Sequence, residues 1–169
     1  MECKEECGIL GIWAPQKAVF DLCFSGLFAL QHRGQEGAGI ALYCNNTIKV
    51  IKGKGLVYQA INHKHVHLKE KCAIGHVLYS SNEEKNEAEI QPLSIEDLPN
   101  TAISFNGRLT NYIHLRNFLE EKGTVFCTNS DAEVILYLLS YYIATSPNDL
   151  ENALINLVAS LEGGFSIIF

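Results

Sequence analysis

The stretch Cys7-Gly8-Ile9-Leu10-Gly11-Ile12 decides how the rest of the chain is read. A cysteine close to the start that opens a short apolar strand with two glycines has two explanations. As a core residue it needs no special reason, since cysteine is among the most buried residue types. As a nucleophile it needs the six residues before it removed, which leaves Cys7 carrying a thiol and a free α-amine. That amine, with a pKa of about 7.7–8.0, can act as the base for its own side chain. The stretch alone favours the core, so the remainder of the chain has to decide.

After this first strand, Val19, Phe20, Cys23, Leu27 and Phe28 fall near helical spacing and predict an amphipathic helix over Val19–Leu30. The polar, glycine-rich run from Gln31 to Gly39 follows. Ile40–Tyr43 and Ile48–Ile51 are β-rich around Asn45-Asn46, which predicts a hairpin. Lys52–Lys71 is polar and poorly periodic. Cys72–Tyr79 is a further apolar strand, leading into the loop Ser80–Asn86. Thr101–Phe105 predicts a strand closed by Asn106-Gly107, and Ile113–Lys122 a helix stopped by Gly123. Ser130-Asp131-Ala132-Glu133 has capping-box form and launches an apolar helix through Val134, Ile135, Leu138, Leu139 and Tyr142. Ser146-Pro147 predicts the start of the last helix, with Leu150, Leu154, Leu157, Val158 and Leu161 on its inner face. Phe165–Phe169 reads as a closing strand. Strand neighbours of hairpin type, without regular βαβ alternation, predict an α+β protein of antiparallel sheets covered by helices. The last strand runs into the end of the chain without a turn, so a C-terminally incomplete domain is expected.

The 169 residues suit one domain. A hydrophobic content of 47% with 19% charged residues describes a globular protein, and a net charge of −6 argues against nucleic-acid or polybasic membrane partners. No run approaches the ~18 apolar residues of a membrane span. The acidic start Met1-Glu2-Cys3-Lys4-Glu5-Glu6 is unlike a signal peptide, so a cytoplasmic location is expected. The six cysteines, Cys3, Cys7, Cys23, Cys44, Cys72 and Cys127, contain no CxxC pair and are expected as free thiols.

Several stretches have the composition of a site. Arg33, Gln35 and Glu36 stand among three glycines, as a solvated turn or as a place where backbones approach closely. Asn106-Gly107 is either a hairpin turn or a side-chain amide beside a backbone N–H, the donor pair of an oxyanion hole. Asp131, in the first turn of its helix, either complements the helix dipole or binds a substrate ammonium. His63-Lys64-His65-Val66-His67 puts three imidazoles on one face if extended, yet no carboxylate or cysteine stands near with ligand spacing. A solvated face is the expectation there, and no metal site is assigned.

Taken in order, Cys7–Ile12, Leu30–Ile40 with Gln31-His32-Arg33-Gly34-Gln35-Glu36, Gly75-His76-Val77-Leu78-Tyr79-Ser80, Asn106-Gly107-Arg108-Leu109-Thr110-Asn111, Thr128–Leu136 and Leu161–Ser166 resemble the glutaminase domain of the amidophosphoribosyltransferase family. The resemblance implies an N-terminal-nucleophile fold, a four-layer αββα sandwich of two antiparallel sheets. It implies a leader over residues 1–6 and a type 2 glutamine amidotransferase domain over 7–169, truncated and without a phosphoribosyltransferase domain. It implies glutamine hydrolysis for phosphoribosylamine formation at the head of purine synthesis. In that scheme Cys7 attacks the side-chain amide, Asn106 and Gly107 hold the oxyanion, Asp131 binds the α-ammonium, and Arg33 orders the nucleophile loop. Tyr79 and Arg108 complete the substrate-binding set. No cofactor is implied for this chain. The implied partners are glutamine and a transferase domain or subunit, and a homo-oligomer is compatible.

Two departures qualify the expected activity. Leu78 stands where the family has the arginine that pairs with the glutamine α-carboxylate. Losing such a charged hydrogen bond costs about 1.5–3 kcal/mol, or roughly ten- to a hundredfold in binding. Arg108 replaces a family asparagine and offers a substitute cation. The milder changes are Phe105 for histidine and Ala132 for threonine or serine. The second departure is length, since a chain ending at Phe169 is expected to lack the transferase half. A rival reading is therefore a catalytically impaired remnant, or a binding subunit that keeps the fold.

Overall fold

The computed structural model describes residues 7–61, 70–79, 87–147 and 149–169. Residues 1–6, where a leader is expected, the histidine-rich 63–67 and the expected loop 80–86 lie outside the described residues.

Among the described residues, six strands and five helices are built from local signals that mostly agree with the sequence. Strand β1 (Gly8–Trp13) is followed by helix α1 (Phe20–Ala29) and a single 3-10 turn at Gln31–Arg33. Strands β2 (Gly37–Cys44) and β3 (Thr47–Lys54) form the expected hairpin, with Asn45 and Asn46 at φ 50° and 61°, the left-handed pair such a two-residue turn requires. A one-turn helix α2 (Val57–Ala60) precedes β4 (Cys72–Leu78). The second half holds β5 (Ser104–Leu109), α3 (Tyr112–Glu121), α4 (Asp131–Thr145), α5 (Leu150–Ser160) and β6 (Gly163–Ile168).

All strand pairs are antiparallel, in a four-stranded sheet of order β1-β4-β2-β3 and a two-stranded sheet β5-β6. Helix α1 covers the first sheet through Phe20, Cys23 and Leu27 against Ile40, Leu42 and Val77. Helices α3, α4 and α5 cover the second through Leu115, Leu119, Ile135, Leu138 and Leu157 around Phe105 and Leu109. Between the sheets lie Ala41, Ile74 and Ala102, backed by Ile48, Val50 and Ile168. Apolar burial at about 25 cal/mol per Å² makes these layers the main stabilising term. Helix, sheet, sheet and helix thus stack in the expected α+β order.

Three local expectations change. Asn106-Gly107 is no turn: both residues sit mid-strand in β5, opposite Ser166 and Phe165. The last helix starts at Leu150 with Asp149 as its cap, whose carboxylate accepts from Asn152 N at 2.9 Å, instead of starting at Pro147. Its buried face is carried by Ala153 and Leu157, whereas Leu150 and Val158 are exposed. Finally, Ser130 caps α4 by accepting from Ala132 N at 3.2 Å, but Glu133 does not reach back to Ser130. Its carboxylate goes further, to Cys127 and Thr128.

Candidate active site

Cys7 immediately precedes β1, and pairing of Gly8 with Val77 brings it level with the end of β4. Its Sγ donates to the Tyr79 carbonyl at 3.7 Å, and its own carbonyl accepts from Arg33 Nε at 2.8 Å. Arg33 is delivered by the 3-10 turn, whose following Gly34 lies against β4. A Cβ on Gly34 would fall 2.5 Å from the Leu78 carbonyl carbon, so of the two readings of this glycine-rich run it is the close backbone approach that Gly34 makes. Cys7 has φ 62°, left-handed backbone that costs a non-glycine residue about 1–2 kcal/mol and is offset by fixed contacts such as the one from Arg33. The other described cysteines are also in no disulfide, and burial of Cys23 on the inner face of α1 pushes its thiol up to about 12.

Across the gap between the sheets, β5 presents Asn106 and Gly107. Gly107 has φ 142°, and a Cβ there would meet Gly164 O at 2.3 Å and Phe165 Cα at 2.5 Å, so only glycine fits. The preceding residue, Phe105, is gripped from the side. Gln91 accepts from Phe105 N at 2.6 Å and donates to Phe105 O at 3.2 Å.

The third wall is the start of α4. Asp131 is half-buried and accepts from Leu109 N at 3.3 Å. Burial raises its carboxyl above the ordinary aspartate range, against the Leu109 N–H and the positive charge of Arg108, which pull it down. The turn before it is clamped from both sides. Glu133 accepts from Cys127 N at 2.8 Å, from Thr128 N at 2.7 Å and from the Thr128 hydroxyl. Arg116 Nη1 donates to Thr128 O at 2.8 Å while its guanidinium lies 4.3 Å over the Phe126 ring.

These walls enclose a cavity of about 380 Å³. Cys7, Asn106, Gly107 and Asp131 all line it, although they come from the β1 end, β5 and α4. Tyr79 lines it as well. Arg33 stands behind, holding the Cys7 carbonyl, and Arg108 is exposed outside the lining, where its charge acts on Asp131. Leu78 faces the cavity and is 4% exposed. Sequence reasoning missed Gln91, Glu89, Asn129 and Ser130 as wall residues. Gln91 carries no motif, and the one available signal was a lone amide in the apolar run Ile90-Gln91-Pro92-Leu93.

A larger cavity of about 550 Å³ lies on the other side of the Thr128 turn, between Lys52, Glu96, Asp97, Cys127 and Tyr137. Lys52 donates to Ile90 O at 2.6 Å, and burial lowers its ammonium below the usual lysine range. Among the described residues no group of histidine, cysteine and carboxylate side chains is placed to hold a metal ion. No helix of the described residues is long and apolar enough to cross a membrane.

A family model described as a glutamine amidotransferase domain matches residues 79–169. Over 98% of its length the chain is 39% identical to the chloroplastic amidophosphoribosyltransferase of Vigna aconitifolia, covering 34% of that protein. It is 41% identical to the amidophosphoribosyltransferase of Archaeoglobus fulgidus over 95% of this chain and 35% of that one. The solved glutamine phosphoribosylpyrophosphate amidotransferase from B. subtilis, complexed with ADP and GMP, superposes with a TM-score of 0.80 at 32% identity. It covers 94% of this chain and 34% of its own length. The chain thus spans about a third of the length of the relatives it matches. With the fold shared and the identity sustained along the chain, it belongs to the glutamine amidotransferase domain family, in the form found in amidophosphoribosyltransferases.

Proposed function

We propose that this chain hydrolyses the side-chain amide of glutamine through a thioester on Cys7. The observation that carries the reading is one cavity lined by a thiol, an amide next to a glycine backbone, and a helix-start carboxylate. The thiol of Cys7 adds to the γ-carbonyl, with its own α-amine as base once residue 7 is the first of the chain. Asn106 and the Gly107 N–H stabilise the oxyanion, a role typically worth about 10²–10³ in rate per donor. Ammonia leaves, water hydrolyses the thioester, and Asp131 holds the α-ammonium throughout. Arg33 fixes the Cys7 carbonyl, and Arg108 acts on the charge of Asp131 from outside the cavity. By likeness to the relatives, the ammonia serves phosphoribosylamine formation on a transferase domain or partner subunit.

Ammonia release from glutamine by protein whose first residue is Cys7 tests the reading, with Cys7→Ala as control. Turnover that disappears in the control supports it. Absence of turnover together with co-purification of a transferase subunit supports the binding-subunit reading, which the apolar Leu78 wall favours.

A further inference from the structure

We propose that Lys52 is a positioning residue for the glutaminase reaction: it holds the strap Ile90–Leu93, whose Gln91 in turn holds the strand that carries Asn106 and Gly107. This rests on the glutaminase reading and adds a residue placed outside the Cys7 cavity. The strap is wedged between the two sheets. On one side the Gln91 side chain clasps Phe105 N and O at 2.6 and 3.2 Å. Leu93 exchanges backbone hydrogen bonds with Ile103 at 3.0 and 2.9 Å. These contacts give β5 a stand-in neighbour on the edge away from β6. On the other side the strap rests on the four-stranded sheet. A Cβ on Gly39 of β2 would lie 2.4 Å from the Gln91 carbonyl oxygen and 3.0 Å from Pro92 Cδ, so a bare glycine forms the seat.

Lys52 is the β3 residue paired with Gly39, and its Nζ donates to Ile90 O at 2.6 Å. An ammonium donor makes this bond charge-assisted, about twice as strong as a neutral one. The Ile90 carbonyl shares a planar peptide unit with Gln91 N, so fixing it fixes where the Gln91 side chain starts. Lys52 reaches the strap from the side remote from the nucleophile. Together with Ala88 and Leu93 it lines the larger cavity, whereas Glu89 and Gln91 line the Cys7 cavity. The strap is a partition between the two. Held at Ile90 from one cavity, it sets the amide that grips Phe105 at the wall of the other, one residue before the oxyanion donors.

Steady-state kinetics of Lys52→Met, in the chain beginning at Cys7, tests this. Methionine keeps a long side chain and removes the donor. The kcat for glutamine is expected to fall roughly three- to tenfold with KM unchanged. That is less than the ~hundredfold of a 1 Å misplacement, because the Gly39 seat and the Ile103 pairing remain. Lys52→Arg, which restores a charged donor, is expected to recover most of the rate. In a Gln91→Leu background, Lys52→Met is expected to change kcat by less than about twofold, since the link it acts through is gone. Should Lys52→Met fail to fold, Lys52→Gln, a shorter neutral donor, is read in the same way, with a smaller loss of kcat expected. Unchanged kcat in the folded variant, a KM that rises as kcat falls, or losses that multiply independently with Gln91→Leu would overturn the proposal. Any of these with turnover in the parent chain leaves the glutaminase reading standing and removes this one, whereas a parent chain that releases no ammonia removes both.

Discussion

The side-chain amide of Gln91 clasps the backbone of Phe105 at two points, 2.6 Å to its N–H and 3.2 Å to its carbonyl. It acts as a strand neighbour would, on the residue immediately before Asn106. The oxyanion donors proposed for the site are therefore held in place by a residue of a separate segment, which runs beside the start of β5 through the Leu93–Ile103 bridge.

Gln91→Leu removes both contacts and leaves a buried N–H and C=O without partners, a cost of about 1–3 kcal/mol each. The kcat for glutamine is expected to fall about ten- to a hundredfold, since a shift of about 1 Å in a catalytic group has that order of effect. KM should change little, because Asp131 is untouched. Gln91→Glu, which keeps the acceptor for Phe105 N, should lie between the two. Steady-state kinetics checks this, and equal losses in kcat and in folded fraction would mean a purely structural role.

Gly107→Ala forces a side chain into φ 142° and onto the Gly164 carbonyl. The β5–β6 pairing is expected to loosen by more than about 2 kcal/mol, a melting temperature lower by roughly 4–8 °C for a chain of this size. A thermal melt followed by circular dichroism reads it directly.

Asp131 carries a pH signature. Its folded carboxyl titrates above the ordinary value of 3.8 because burial disfavours the charge. The folded state therefore binds more protons than the unfolded one between 3.8 and the raised value, and stability falls as pH rises through that window. Asp131→Asn is expected to stabilise the protein above the window, with the gain disappearing below about pH 3.8. It should also weaken substrate binding. Melts across a pH series show the first effect and KM shows the second; a variant less stable at neutral pH contradicts the burial argument.

Glu133→Leu releases the Cys127 and Thr128 N–H groups and the turn that leads to Asp131. Losing acceptors for these part-buried donors costs at most about 1–3 kcal/mol per group. The expected kinetic result is a KM raised several-fold with kcat nearly kept, because the turn positions the ammonium site and not the nucleophile. Glu133→Gln, which retains one acceptor, should recover part of the loss.

The parts of this molecule set by near neighbours were legible in its sequence. Asn45-Asn46 made its hairpin and α1 took the face that Cys23 and Leu27 predict. What was misread depends on distant partners. Asn106-Gly107 stays open in the sequence between a turn and a donor pair, and only β6, with Ser166 opposite Asn106, excludes the turn. Glu133 fits a capping box by spacing, yet the unmet N–H groups of Cys127 and Thr128 bind its carboxylate more fully. The Asp149 cap displaces Pro147 as the start of α5 because its carboxylate meets Asn152 N. For the site, Cys7, Asn106, Gly107 and Asp131 were marked by local chemistry together with a family resemblance. Gln91 had neither, since its role exists only once Phe105 is brought beside it.

The central claim is that Cys7 is the nucleophile, and covalent labelling measures it most directly. Protein whose first residue is Cys7 would be treated with an electrophilic glutamine analogue and digested, and the adduct mapped by mass spectrometry. The account predicts one adduct per chain on Cys7, suppressed by excess substrate amide and slowed in Asn106→Ala. An unlabelled Cys7, or an adduct on the exposed Cys127 instead, would contradict it.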